Sequence, residues 1–237
     1  MSLRYGCHEI SYTYTEPTIF FEYAHDTVVL AHEKGLFNLF VTNGYMTPEA
    51  VRVIAPHLDA ATVDFKGGGD PEFYGRFSAV PSVEPIYESL KEMRRHNIHI
   101  EVTNLVVPKF GDSMEKIREL ASWIRDNLGR DVPLHLLKFH SDYKMTDVPS
   151  TEIRVLEEAY KAARDEGLNY VYLGNVPGHR YENTYCPECG ETLIRRYGFE
   201  IIRWNITDEM QRPECGVSIP IRGRYHRGGY TYPYPII

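Results

Sequence analysis

The sequence has little that would place it in a membrane, a secretory route or a nucleic-acid complex. No apolar run approaches the roughly 20 residues that span a bilayer. The N-terminus carries no charged-then-apolar leader. Basic residues are outnumbered, 26 against 33 acidic, for a net charge of −7. That balance argues against binding a phosphate backbone. Only four cysteines occur, two of them in Cys186-Pro187-Glu188-Cys189, which is not the pattern of a secreted disulfide framework. There is no internal repeat. The expectation is a soluble cytoplasmic protein with no membrane and no nucleic-acid partner.

What is present is an ordinary globular composition, 43% hydrophobic in 237 residues. That suits one large domain, or one with a small appendage. Six strands are expected: His8 to Thr15, Phe37 to Thr42, Ala60 to Phe65, His99 to Val107, Pro133 to Phe139 and Tyr170 to Leu173. Helical spacing of apolar residues separates them, over Pro17 to Lys34, Val83 to Asn97, Met114 to Leu128 and Thr151 to Glu166. A shorter helix follows Thr47 and Pro48, a good N-cap and first-turn pair. Strand–helix alternation at this pace means parallel strands with right-handed crossovers. The strands read as nearly continuous apolar runs, as if both faces were covered. An open partial barrel and a doubly wound sheet both fit, and both put reactive residues at strand C-termini.

On that expectation one rim collects Thr15, Glu16, Thr42, Asn43, Asp64, Lys66, Thr103, Asn104, His135, Lys138, His140 and Asn175. Each has a bland reading. Glu16 can cap a helix, Asn43-Gly44 can be a turn, Asp64 and Lys66 can be a satisfied ion pair, and His135 can be a core histidine. Gly67-Gly68-Gly69 after a strand can cradle a phosphate, but no Lys-Ser/Thr follows, so a tight turn is the better reading. Convergence on one rim is what lifts the set.

Several segments carry a resemblance. They are Tyr12-Thr13-Tyr14-Thr15-Glu16-Pro17, Phe40-Val41-Thr42-Asn43-Gly44-Tyr45, Val63-Asp64-Phe65-Lys66-Gly67 and Pro133-Leu134-His135, with the stretches 100–108, 138–144 and 170–178. Together, over most of the chain, they resemble radical S-adenosylmethionine (SAM) proteins of the AmmeMemoRadiSam system, relatives of pyruvate formate-lyase activating enzymes. The resemblance implies that Thr15 and Glu16 receive the methionyl ammonium of SAM. It implies that Thr42 and Asn43 line its ribose and carboxylate, that Asp64 and Lys66 form an Asp-x-Lys element, and that His135 lies near the adenosyl group. In that family a reduced 4Fe–4S cluster cleaves SAM to a 5′-deoxyadenosyl radical. The cluster sits on a Cys-x3-Cys-x2-Cys loop one β/α unit earlier, and no such spacing occurs in this sequence.

The resemblance thus implies an α/β chain: a partial radical SAM (β/α) barrel over 1–178, missing its first unit. A degenerate zinc-ribbon-like segment over 179–221 and an irregular tail over 222–237 follow. Cys186, Cys189 and Cys215 are three candidate zinc ligands. Arg212 stands where a fourth thiolate would be, with His179, His226 or Glu214 as outside candidates. The cofactors implied are SAM, a 4Fe–4S cluster whose ligands are absent here, and a candidate zinc ion. The implied partners are an unknown protein or small-molecule substrate and a chain supplying the cluster unit. The main expectation is the C-terminal portion of a radical SAM enzyme, inactive in reductive cleavage by itself. Two alternatives are a cluster-free SAM- or nucleoside-binding or scaffold protein, and a metal-dependent hydrolase using His135, His140 and Asp64.

Overall fold

A computed structural model describes residues 2–226. The expected six strands form, as β1 (Glu9–Tyr12), β2 (Phe37–Thr42), β3 (Ala60–Lys66), β4 (His99–Val106), β5 (Leu134–Lys138) and β6 (Val171–Gly174). The helices are α1 (Phe21–Glu33), α2 (Pro48–Ile54), the single turn α3 (Pro71–Phe73), α4 (Glu84–Arg95), α5 (Met114–Asn127) and α6 (Ile153–Asp165). Local chemistry sets the starts of two of them. The Thr47 hydroxyl accepts from Ala50 N ahead of α2, and Ser113 from Lys116 N ahead of α5.

The sheet order is β1-β2-β3-β4-β5-β6, with every neighbouring pair parallel. A doubly wound sheet reverses its order at a switch point and has helices on both faces. Here the order runs straight through. The buried residues of α1, α2, α4, α5 and α6 share one core with Phe40, Val63, Phe65, Val102, Leu134, Leu136 and Leu173 of the strands. This is the winding of a partial barrel, with helices outside.

That arrangement corrects the expectation of strands covered on both faces. In β4, Ile100, Val102, Asn104 and Val106 are buried toward the helices, while His99, Glu101, Thr103 and Leu105 alternate with them on the other face. Thr62, Asp64 and Lys66 of β3, His135 of β5 and Tyr172 of β6 share that second, half-exposed face. The barrel interior is therefore a polar surface open to a ligand.

β1 is shorter than expected because the chain leaves the strand after Tyr12, turning through Tyr14 at φ 36°. α1 begins late for the same reason. A turn over 17–20, closed by Ile19 N donating to Glu16 O, occupies the space before it.

The C-terminal segment forms a separate antiparallel sheet, β7 (Thr184–Tyr185), β8 (Thr192–Tyr197) and β9 (Glu200–Trp204). It packs on the β6 edge through a small second core of Tyr170, Cys186, Leu193, Ile194, Ile206 and Ile219. Of the tail expected to be irregular, Arg222 to His226 are described and carry no strand or helix, and 227–237 lie outside the described residues. No helix among the described residues is long and apolar enough to cross a membrane.

Candidate functional site

The strand exits meet at Glu16. Its Oε1 accepts from the Thr42 hydroxyl at 2.5 Å and the Thr18 hydroxyl at 3.2 Å, and its Oε2 from Asn43 N at 2.8 Å. The carboxylate therefore ties the end of β1 to the end of β2. Thr18 N adds a longer contact to Oε1 at 3.5 Å, which fills that oxygen. Oε2 accepts from Asn43 N alone among the described residues, so one of its roughly two acceptor positions faces a cationic ligand. Thr42 also accepts from Gly44 N at 3.0 Å, and Asn43 Oδ1 from Tyr45 N at 2.8 Å. Asn43 Nδ2 has no partner among the described residues, so an amide donor stands beside the acidic group. Gly44 is required by the turn. It has φ 73°, and a Cβ there would lie 2.6 Å from Val63 Cγ1. Thr15 is exposed beside Glu16 and makes no side-chain hydrogen bond among the described residues.

Asp64 and Lys66 do form an ion pair across one strand face, and the Thr103 hydroxyl donates to Asp64 Oδ1 at 2.6 Å. Asn104 is fully buried and turns toward the glycines, its Oδ1 accepting from Gly68 N at 2.8 Å. The glycine triplet is a tight turn, as its sequence suggested. Missing Cβ positions at Gly67 and Gly68 lie 2.8 Å from the Phe73 ring and from Lys116, which leaves no phosphate cradle.

Further round the barrel, His135 is half-buried. Its Nε2 lies 2.7 Å from Glu101 Oε2, and His99 Nε2 lies 3.4 Å from Glu101 Oε1. An ionised carboxylate only accepts, so Nε2 of His135 carries the hydrogen and Nδ1 is left without a partner among the described residues. Tyr172 stacks on His135 with centroids 4.9 Å apart. Asp64, Thr103, His135 and Tyr172 are register partners, one polar row across four strands.

Glu101 and His99 were missed in the sequence, although their period-two spacing with Thr103 marks them as one face. Burial pushes the Glu101 carboxyl up, but the hydrogen bonds and charges of His135 and His99 outweigh it and hold the group below the usual carboxylate range. A folded-state value below the unfolded one, about 4.3, means the contribution is present above that pH and lost as pH falls through the folded value. Glu101→Gln is therefore expected to flatten the loss of stability between about pH 5 and pH 3 relative to wild type. Urea unfolding across that range checks it, and parallel curves would refute the pairing.

The metal-hydrolase alternative fails on geometry. Asp64 is held by Lys66 and Thr103, His135 by Glu101, and His140 is exposed and joins neither in a group that could hold one ion. Among the described residues, the one group of three or more metal-ligating side chains within reach of one ion is Cys186, Cys189 and Cys215. Lys138 contributes its carbonyl, which accepts from Asn175 Nδ2 at 3.1 Å, and so closes the loop after β6.

The three sulfurs lie within 4.8 Å of one another, with Cys186 and Cys215 at 3.8 Å. The group sits away from the rim, since Cys186 packs with Tyr170 at the N-terminal end of β6. Burial pushes the Cys186 thiol up, whereas the Arg212 guanidinium hydrogen-bonded to Cys215 pulls that thiol down. The outside ligands considered in the sequence are engaged elsewhere. His179 lies 3.4 Å from Glu157, His226 stacks on His8, and Glu214 faces Arg212 at 3.2 Å.

These donor sets distinguish two groups. An anionic, partly open carboxylate with a free amide beside it fits the amino-acid end of SAM. No thiol reaches that rim, so these residues do not fit a rim-bound iron–sulfur cluster.

Comparison with known proteins bears on the family and the fold. The profile of the Radical SAM superfamily matches residues 1–124. The protein called Uncharacterized protein MJ0808, from Methanocaldococcus jannaschii, is 46% identical over 222 residues, 93% of this chain. The chain spans 65% of that relative's length. A domain of pyruvate-formate lyase-activating enzyme from Bacteroides vulgatus superposes with TM-score 0.62 at 16% identity, covering 70% of this chain and 99% of that one. SuiB from Streptococcus suis, solved bound to S-adenosylmethionine, gives 0.58 at 13% identity, covering 73% of this chain and 41% of that one. Those two likenesses show the fold. With just over half of its residues under the family profile, the chain belongs to the radical SAM superfamily.

Proposed function

We propose that this chain supplies the SAM-binding rim and the substrate face of a radical SAM enzyme of the AmmeMemoRadiSam type. In this reading the cluster ligands lie outside these 237 residues. The observation that carries it is the separation of the two chemistries. Glu16, Thr42 and Asn43 converge at the strand exits, while the thiols gather at the other end of β6.

A cluster together with SAM supplies hydrogen-atom abstraction, and the protein's share is binding, orientation and exclusion of water. Glu16 offers the remaining acceptor position on Oε2 to an ammonium, a charge-assisted contact. Thr42 and Asn43 hold that carboxylate in place. Asn43 Nδ2 donates to a carboxylate or ribose oxygen. The row Asp64, Thr103, His135 and Tyr172 lies on the open barrel face, where a substrate would rest against SAM. The outer edge of β1 pairs with no strand among the described residues, and a cluster-bearing strand from another segment or chain would pair there.

The thiol site is assigned in the same reading to zinc. Tetrahedral zinc with bonds of about 2.3 Å sets sulfurs about 3.8 Å apart, and Cys186 and Cys215 stand at 3.8 Å. Three thiolates and zinc carry one net negative charge, and Arg212 faces it with one positive charge.

The test is the intact mass, with co-purifying chains, of the native protein from its source cells. A mass above 27.4 kDa, or a stable partner bearing Cys-x3-Cys-x2-Cys, supports the reading. A lone chain matching this sequence would overturn it in favour of a cluster-free binder.

A further inference from the structure

A pocket of about 590 Å³ lies between the β8–β9 hairpin and the loop leaving β6, lined by Arg180, Arg195, Arg196 and Arg203 with Asn183 and Tyr197 among its other residues. No carboxylate lines it. Four arginines lining one concavity are unexpected in a chain of net charge −7.

Two of the four are spent on the protein. Arg180 lies 3.3 Å from Glu157, and Arg196 donates to Glu182 O at 3.0 Å and to Thr184 Oγ1 at 2.8 Å. The other two are not. Arg195 and Arg203 are direct register partners across β8 and β9, and neither has an ion pair or hydrogen bond among the described residues. Like charges directly opposite on a sheet destabilise it, so the pair costs stability unless an anion bridges it. A register shift beside Arg195 leaves Ile202 without a partner, a bulge of the kind that re-aims neighbouring side chains.

A chain of ring contacts links the pocket to the barrel's polar face. The pocket's hairpin closes on the loop after β6, where a Cβ at Gly178 would meet the Tyr197 ring at 3.0 Å. The Arg196 guanidinium lies 5.6 Å from the Tyr172 ring centre, and Tyr172 stacks on His135.

We propose that this pocket binds a phosphoryl group of a small ligand, with Arg195 and Arg203 as its primary donors. Two arginines opposite one another, neither engaged by the protein, match an anion whose oxygens point in several directions, better than a single planar carboxylate. The volume is that of a small-molecule site, and the overall negative charge disfavours a nucleic-acid backbone. The anion site stands independently of the SAM reading.

Titration calorimetry of the full chain with pyrophosphate tests it, beside the double variant Arg195→Gln/Arg203→Gln. Both arginines are exposed, so the variant is expected to fold, and circular dichroism verifies that. The expected result is saturable, salt-sensitive binding that weakens at least about tenfold in the variant, since each charged hydrogen bond lost is worth more than a tenfold change. Absence of saturable binding, or binding the variant leaves unchanged, overturns the proposal. So does binding of single-stranded RNA without binding of pyrophosphate.

Discussion

Gly44→Val is expected to destabilise the chain by about 2–5 kcal/mol, the sum of two costs. Gly44 sits at φ 73°, a left-handed conformation that costs a side-chain-bearing residue about 1–2 kcal/mol. The second cost is steric. The new Cβ would lie 2.6 Å from Val63 Cγ1 and 2.9 Å from Ile86 Cγ2, both in the closed core. Overpacking of that kind costs about 1–3 kcal/mol. The backbone has little freedom to retreat, because the Ser89 hydroxyl donates to Gly44 O at 2.7 Å and Gly44 N donates to Thr42. The same displacement moves Asn43 N away from Glu16, so the rim loosens together with the core. Urea unfolding reads the first effect, and a cost below about 1 kcal/mol would show that the turn is not held as described. Gly44→Ala, with a smaller side chain, is expected to fall between wild type and Val.

The second large effect concerns the ribbon. The chain is expected to bind one zinc ion, and Cys186→Ser is expected to lose both the metal and the ordered β7–β8–β9 sheet. The second core has only six buried residues, too small to hold a sheet by itself. Binding of structural zinc supplies on the order of 10 kcal/mol of folding free energy in comparable small sites. Cys186 is the buried member, so replacing its sulfur removes the ligand least open to substitution by water. Arg212→Cys should act in the opposite direction. It converts a three-thiol site into a closed four-thiol one and removes a guanidinium whose Nε is paired with Glu214 rather than with a metal ligand. Metal content by mass spectrometry and hydrogen exchange over 184–204 read both variants. Zinc retained in Cys186→Ser, or weaker retention in Arg212→Cys, would contradict the assignment.

The fold was largely legible because long helices with strong apolar spacing, such as Met114–Asn127, leave little freedom. Ile117, Leu120, Ala121 and Ile124 are the buried stripe of that helix. Strand order was not legible, since the same alternation serves barrels and doubly wound sheets. It was settled by register and by the helices sharing one core. The polar inner face was hidden because β4 mixes His99, Glu101 and Thr103 with Ile100, Val102 and Val106, which reads as an apolar run unless the two faces are separated. Glu16 was singled out correctly as a residue at a strand exit, but its bonds to Thr42 and Asn43 span 26 and 27 positions. No local pattern announces contacts of that range. The arginine pocket escaped notice because its members come from both arms of a hairpin and the loop after another sheet, while the total charge of the chain is negative.

SAM is expected to meet the rim, and backbone amide shift mapping during a SAM titration of the isolated chain tests this most directly. It detects binding near the millimolar range, about −4 kcal/mol, which is the weak affinity expected without a cluster. The expected shifts cluster at Asn43, Gly44 and Tyr45 and along Thr103 to Leu105, all lost in Glu16→Ala. Shifts confined to the ribbon around Cys189, or none at all at saturating SAM, would contradict it.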